Sequence, residues 1–487
     1  MTGRAKAREA RLGLILLTLY GLLMLLPVAL AGLQDREPRP FRDEMASGLA
    51  LVAFAMLLAE FVLSGRHKGL SARLGMDSIM RLHQFMAHVL LAFVIIHPFL
   101  YSLPMGAAPL GEADRATWLS LTTWPGITGM VAWIGLIIFV FLSAVRDQLP
   151  YTYEGWRIGH ALGAVAIALL SWHHTLWAGR YSSEPLLAGV WTLALAAAVI
   201  ALLHVHWVTP MLQRRRPFRI AAVRREAERT WTVEVEPDEA AGHPGTRLLF
   251  RAGQFFWFKV GRPLGRITEH PFSISSSPAQ WPRIAFTIKE AGDFTRGVGS
   301  LSVGTPVYLD GPYGNFVLSG GDSTPVVMLA GGVGMAPMMS LLRDLRDRGE
   351  RRPIHVFQGN RHAGQILYAR ELEEMAQTMD LHVHHVLQEP PAGWDGPTGF
   401  IDRALLERLL PAEVRQDAKW VICGPPAMID VLETVLLRDF RVAPAAIISE
   451  RFHYRFGDRA GMAGRFLRAS AAVTLGLVLG VVWFALR

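Results

Sequence analysis

The chain has 487 residues, of which 51% are hydrophobic and only 18% charged, with a net charge of +8. Soluble domains carry about 25% charged residues, so this composition excludes a disordered or fibrous chain and calls for membrane segments. Positive charge on the cytoplasmic side of a bilayer accounts for the basic balance without a nucleic-acid partner. The single cysteine, Cys423, excludes an internal disulfide framework, a Cys-ligated zinc site and a Cys-bound iron–sulfur cluster.

Six apolar runs fill the first 210 residues: 12–32, 45–63, 80–100, 127–145, 158–178 and 186–208. Each is close to the roughly 20 residues that a helix needs to cross a bilayer. The first has the basic flanks of a signal peptide. It is long, however, precedes further spans and shows no clear small-residue cleavage site, so it reads as a retained helix. Arg4, Lys6, Arg8 and Arg11 precede the first run. Arg66, Lys68, Arg73 and Arg81 separate the second from the third. Arg146 and Arg157 separate the fourth from the fifth, and Arg214, Arg215 and Arg216 follow the sixth. These loops belong on the cytoplasmic side, and the mixed loop 34–44 and loop 102–125, which has one basic residue, on the outside.

From about residue 213 charges become common and the apolar runs shorten. Segments 230–236, 248–259 and 284–289 alternate like strands. From Pro325 strands and helices take turns: strands 326–330, 354–358, 382–387 and 420–423, with helices 338–348, 369–378, 403–410 and 427–438 between and after them. This rhythm predicts a parallel α/β sheet. Residues 469–486 then form a seventh span, without a charge and flanked by Arg465 and Arg468. In it Gly476 and Gly480 make a GxxxG pattern, which permits close helix contact and offers a route to a homo-oligomer.

Histidines inside the spans carry the first chemistry, because ionisable residues there are costly. The third run holds His83, His88 and His97, and the fifth holds His160, His173 and His174. Both His83 to His97 and His160 to His174 are spacings of 14 residues. Such a step returns to within about 40° of the same helix face and rises about 21 Å. Two neighbouring helices with such pairs can clamp two haems, His83 with His160 near the cytoplasm and His97 with His174 near the outside. His173 is the alternative outer ligand, and would need a local bulge to reach that face. Bis-imidazole ligation fills both axial positions and suits electron transfer.

The second half holds nucleotide-binding signals. His270, Pro271, Phe272, Ser273, Ile274 and Ser275 close a barrel strand. Gly292 and Thr295 then precede a helix start, a natural phosphate seat. Residues 310–314 (Asp-Gly-Pro-Tyr-Gly) read as a turn finishing the barrel. Gly331, Gly332 and Gly334 sit between a strand and a helix, where backbone approaches a pyrophosphate closely, and Pro337 stands in place of the third glycine of GxGxxG. Cys423, Gly424 and Pro425 follow another apolar strand, at the end where α/β sheets bind ligands, and this places Cys423 against a nicotinamide. Arg361 follows the next strand after the glycine loop, positioned for a 2′-phosphate, which favours NADPH over NADH.

Taken together, the histidine quartet and the segments HPFSIS, AGGVGMAP and CGPP resemble the ferric reductase/NADPH oxidase superfamily over roughly residues 10–456. The resemblance implies a multidomain chain. Residues 1–212 are an all-α ferric-reductase-like bundle with two b-type haems, 213–321 a ferredoxin-reductase-type FAD-binding β-barrel, and 322–458 a Rossmann-like parallel α/β NAD(P)H domain. Residues 459–487 are a C-terminal transmembrane helix. It implies FAD on His270, Pro271, Phe272, Ser273 and Thr295, and nicotinamide nucleotide on Gly331, Gly332, Gly334, Pro337, Cys423, Gly424 and Pro425. Glu450, Arg451 and Phe452 resemble the terminal acidic-aromatic element of the family, in which Phe452 covers the flavin. No acidic calcium loop of the EF-hand kind is visible.

The expected activity is transfer of single electrons from cytoplasmic NADPH, or NADH, through FAD and two haems to an acceptor outside a plasma or inner membrane. Ferric or cupric chelates are the first choice of acceptor and oxygen, giving superoxide, the second. A third reading makes the chain an electron-transfer subunit that docks an outer partner protein on loop 102–125.

Overall fold

The computed structural model describes residues 3–37, 39–64, 76–102, 123–239, 247–261, 269–318, 323–451 and 461–487. They form two units, one of membrane-type helices and one of sheets.

The helical unit is built from α1 (Gly3–Gly32), α2 (Phe41–Leu63), α3 (Met76–Ser102), α4 (Trp124–Ala144), α5 (Tyr153–Ala178), α6 (Pro185–Leu203) and the C-terminal helix Gly461–Leu486. Among the described residues, seven helices are long and apolar enough to cross a membrane, as the hydropathy predicts. Thr123 and Thr152 cap α4 and α5 by accepting from the N–H groups of Gly126 and Gly155. The most enclosed helix is α2, buried along almost its whole length around Val52 and Met56. Leu22, Ile138, Leu162 and Leu193 are exposed, an apolar exterior that only lipid solvates well. The C-terminal helix belongs to this bundle. Leu477, Val481 and Phe484 are fully buried, and Arg487 donates to the Ala31 and Gly32 carbonyls at the end of α1. A Cβ on Gly480 would meet Leu25 Cδ2 at 2.6 Å, and one on Gly48 would meet Val481 Cγ1 at 2.8 Å. Gly480 thus serves a contact within the chain, whereas Gly476 faces open space.

In the other unit, β1 (Phe218–Ala227), β2 (Thr230–Pro237), β3 (Phe255–Val260), β4 (Glu269–Ser273), β5 (Ile284–Lys289) and β6 (Pro306–Tyr313) form an antiparallel sheet of order β4-β3-β6-β1-β2-β5. A bridge between Ile274 and Phe286 joins its two edges into a barrel. The core is aromatic: Phe256, Phe258 and Phe286 are fully buried. Two expectations change here. Residues 310–313 are not a turn but the end of β6, because Gly311 leaves room for the Phe256 ring against the strand. The strand expected from residue 248 begins only at Phe255, after Gly253 turns the chain at φ +86°, where a Cβ would strike the Phe316 carbonyl.

The remaining strands, β7 (Val326–Gly331), β8 (Ile354–Asn360), β9 (Leu381–Leu387), β10 (Lys419–Cys423) and β11 (Ile447–Glu450), are parallel in the order β11-β10-β7-β8-β9. Helices α7 (Met335–Asp347), α8 (Ala369–Ala376), α9 (Arg403–Leu409) and α10 (Pro426–Thr434) are among those that connect them. From β7 the chain winds first one way to β8 and β9, then back to β10 and β11. The switch point, where such sheets bind ligands, therefore lies between the carboxyl ends of β7 and β10.

Candidate functional site

In the helical unit, Pro98 follows His97 inside α3. Lacking an N–H, it leaves the Val94 carbonyl without its helical donor. Trp133 of α4 supplies the replacement, Nε1 to Val94 O at 2.9 Å, and so ties α3 to α4 one turn from His97. His97 and His174 line one cavity of about 270 Å³, enclosed by apolar side chains of α2, α3, α4 and α5. Gly129 is required there, because any Cβ would occupy the His174 ring. His173 does not line this cavity. It stacks on Trp177 with centroids 4.8 Å apart, and its Nδ1 meets Thr128 Oγ1 at 2.9 Å. Of the two adjacent histidines, His174 is the one brought together with His97.

The second pair lies near the other ends of α3 and α5. The rings of His83 and His160 have centroids 6.5 Å apart and planes at 73°. Phe139 and Trp156 stack on His160 at 4.5 and 5.1 Å, which fixes the ring plane. His88, off this face, turns back onto its own helix, Nδ1 to Gln84 O at 2.6 Å.

Three of the four imidazoles have the same tautomer, and the fourth faces a carboxylate. His97 Nδ1 lies 2.9 Å from Ala46 O and His174 Nδ1 2.8 Å from Pro125 O; carbonyls only accept, so both nitrogens donate. Ser143 spends its hydroxyl proton on Phe139 O, so it accepts from His160 Nδ1 at 3.1 Å. His83 Nδ1 lies 2.5 Å from Glu60 Oε2. Among the described residues the four Nε2 atoms make no hydrogen bond. His97, His160 and His174 are held by Nδ1–H with a lone pair left on Nε2, the usual arrangement of metal-binding histidines, and His83 Nδ1 stands against the Glu60 carboxylate. Glu60 went unnoticed in the sequence. The signal was there, since an acid in an apolar span costs a few kcal/mol and so implies a use.

In the sheet unit, the glycine loop and the CGPP loop meet at the switch point. A Cβ on Gly424 would lie 3.0 Å from Gly331 Cα, one on Gly331 would lie 2.6 Å from Pro425 Cδ, and one on Gly334 would strike the Cys423 carbonyl. These three glycines let two loops touch backbone to backbone. Gly332 differs: its φ is +52° and nothing lies within 4 Å of a Cβ built on it, so it borders the open side of the crevice. Pro337 is buried in the first turn of α7. Cys423 is fully buried, and burial together with the neighbouring Glu450 charge pushes its thiol well up, so it stays protonated. Arg361 is 63% exposed and paired with Glu389 at 2.8 Å.

On the barrel, the His270 ring stacks on Phe294 at 4.3 Å, with Phe272 beside it and Pro271 exposed. Ser273 Oγ is buried and, among the described residues, has no hydrogen-bond partner, an orphan that calls for a ligand or water. Ile274 is fully buried in the barrel core, and Ser275 accepts from Thr287 Oγ1 at 3.2 Å. The Thr295 hydroxyl accepts from the N–H groups of Ala291 and Gly292, both at 2.8 Å, and thus shapes the turn at the helix start. Phe452 and nearly all of loop 102–125 lie outside the described residues.

Comparisons with known proteins agree with this division. Residues 49–171, which include His83, His97 and His160 and end three residues before His174, match the family described as "Ferric reductase like transmembrane component". Residues 328–434, which include the glycine loop and Cys423, match "Oxidoreductase NAD-binding domain". NADH-cytochrome b5 reductase 1 of Laccaria bicolor is 34% identical over 30% of this chain and 48% of its own length. The reductase component of propane 2-monooxygenase from Mycolicibacterium goodii is 31% identical over 38% of this chain and 54% of its own. The chain thus spans about half the length of these curated relatives. Among solved structures, the cytochrome b5 reductase domain of Ulva prolifera nitrate reductase overlaps 48% of this chain and 96% of its own, at 19% identity and a TM-score of 0.41. The chain thus joins a ferric-reductase-like transmembrane region to an antiparallel barrel and an oxidoreductase NAD-binding domain, a combination consistent with the ferric reductase/NADPH oxidase superfamily.

Proposed function

We propose that this protein is a transmembrane NAD(P)H-dependent oxidoreductase that carries single electrons from cytoplasmic NADPH to ferric or cupric chelates outside the cytoplasm. The observation that carries the reading is the pair of imidazole pairs on α3 and α5, each ring anchored at Nδ1 with Nε2 unengaged. The inner pair suits an iron ion. A metal–imidazole bond is about 2 Å, and the ring centres of His83 and His160, 6.5 Å apart, leave room for one ion that both would hold. The outer pair shares an apolar cavity that Gly129 keeps open.

Bound to this chain, NADPH, FAD and two b-type haems would supply a hydride, its division into single electrons and their relay. The chain's own part is to hold and orient. His83 and His160 hold the inner haem, and His97 and His174 the outer one. Ser273, His270 and Phe272 hold the flavin. Gly332 admits the pyrophosphate at the switch point, and Cys423 and Gly424 form the floor beneath the nicotinamide. A protonated thiol at that place is a packing surface and does not act as a nucleophile. Arginines at the start of α1, between α2 and α3 and after α6 keep the reductase half cytoplasmic.

The test is a visible spectrum of the purified protein, reduced anaerobically by NADPH and then divided between air and a ferric chelate. Haem bands that reoxidise faster with the chelate support the proposal. Faster reoxidation in air, with a superoxide-specific signal that superoxide dismutase suppresses, replaces the acceptor with oxygen. Absence of haem bands overturns the reading of the four histidines.

A further inference from the structure

Glu60 is a carboxylic acid on a membrane span, 7% exposed, with both oxygens buried. Among the described residues its sole ion-pair partner is His83, at 2.5 Å. The other three paired histidines rest on neutral acceptors: His97 on the Ala46 carbonyl, His174 on the Pro125 carbonyl and His160 on the Ser143 hydroxyl. A full carboxylate thus stands behind one of four otherwise equivalent imidazoles, and it is on the inner pair. The charged groups near the outer pair offset one another. Arg39 lies over the Tyr101 ring, which packs on His97, and Arg39 is itself paired with Glu44 at 3.1 Å.

Resting on the reading of these histidines as haem ligands, we propose that Glu60 is a positioning residue that gives the relay its outward direction. A carboxylate 2.5 Å from Nδ1 attracts the ring proton electrostatically and lends the ring imidazolate character, which strengthens Nε2 as a donor. A stronger donor and a nearby negative charge in a low-dielectric bundle both favour the ferric over the ferrous ion. The inner site is therefore the more reducing of the two, and an electron placed there moves downhill to the outer site. With haem bound at both pairs, the step would be transfer of one electron from the iron held by His83 and His160 to the iron held by His97 and His174. No bond is made or broken, and the His83 proton stays between Nδ1 and Oε2.

The experiment is a spectroelectrochemical titration of the purified full-length protein at one pH. The wild type, Glu60→Gln, Glu60→Asp, His83→Leu and His97→Leu are compared, with haem content measured for each. In the wild type two one-electron waves are expected. Glu60→Gln is expected to move the lower wave upward by about tenfold in its equilibrium constant, which is 59 mV for one electron, and to leave the upper wave in place. Glu60→Asp should keep most of the separation. If Glu60→Gln does not hold haem, the ordering is read from the other two variants: His97→Leu should retain the lower wave and His83→Leu the upper. An unmoved lower wave in haem-replete Glu60→Gln, or the reverse ordering in the histidine variants, overturns the proposal while leaving the haem reading intact. Wild-type protein without haem overturns both.

Discussion

The imidazoles of His83 and His160 face each other across 6.5 Å, with their planes turned by 73°. Each is fixed from behind by a different residue, Glu60 for His83 and Ser143 for His160. At this separation and angle the rings stand edge to face, each fixed by α2 or α4. The spacing also suits the ion proposed between them.

Removing one ligand of a pair should therefore remove one haem. His97→Leu and His174→Leu are each expected to halve the haem-to-protein ratio, whereas His173→Leu, whose ring stacks on Trp177 outside the cavity, should leave it unchanged. The Soret absorbance per mole of protein measures this. Loss of a haem in His173→Leu with retention in His174→Leu would exchange the two assignments.

The glycines at the switch point should separate by role. Gly334→Ala drives a methyl into the Cys423 carbonyl, and such overpacking costs about 1–3 kcal/mol. Its main effect should be a lower Tm. Gly332→Ala adds a methyl in open space but at φ +52°, a conformation that costs a residue with a Cβ about 1–2 kcal/mol. Its distinguishing effect should be weaker NADPH binding, measured by titration at a temperature where both variants are folded. Unimpaired NADPH binding by Gly332→Ala would place the nucleotide elsewhere.

Arg361 and Glu389 bear on the choice of nucleotide. Their pair is exposed on both sides, so solvent screens it and it opens readily for a phosphate. Arg361→Ala is expected to raise KM for NADPH about tenfold, the loss of one charge-assisted contact, with little change for NADH. Glu389→Gln, by freeing Arg361, should lower KM for NADPH. Equal effects on the two nucleotides would remove Arg361 from the 2′-phosphate site.

The adjacent strands β8 and β9 stack His355 on His382 at 4.7 Å, with His384 at 6.3 Å. Burial first, and then the charges of His382 and His384, lower His355 to about 4. The unfolded chain keeps a value of about 6.5. Between pH 6.5 and 4 the folded state thus holds fewer protons than the unfolded state, and stability present above 6.5 is lost as pH falls. Hydrogen exchange in peptides covering β8 and β9, corrected for intrinsic rates, should quicken between pH 7 and pH 5. It should quicken less in His355→Phe, which keeps the ring stack. Identical pH responses in the two proteins would contradict this.

The reach of the sequence varied with the kind of signal. The 14-residue spacings on α3 and α5 were legible because helix periodicity alone puts such residues on one face. The choice between His173 and His174 was not, because it depends on which carbonyl or hydroxyl of α4 each Nδ1 meets. The parallel sheet could be read from its strand–helix rhythm. By contrast, β1 was missed, since Arg219, Arg224 and Arg225 break up its apolar pattern, and the end of β6 was read as a turn because glycine and proline ordinarily make one. Here Gly311 instead makes room for the Phe256 ring. Thr295 was read as a phosphate seat on its hydroxyl, and the fold uses that hydroxyl to cap its own turn. Glu60 needed the fold, because its partner is 23 residues away on the next helix.

The central claim is that electrons cross the bilayer through the paired histidines. The most direct measurement uses sealed proteoliposomes with a membrane-impermeant ferric chelate trapped inside and NADPH added outside, so that only molecules with their reductase half outward can react. We expect ferrous chelate to appear inside in wild-type vesicles and not in His97→Leu vesicles, while NADPH still reduces the flavin in both. Equal internal reduction in wild-type and His97→Leu vesicles, or none in wild-type vesicles whose flavin and haems are reduced, would contradict the account.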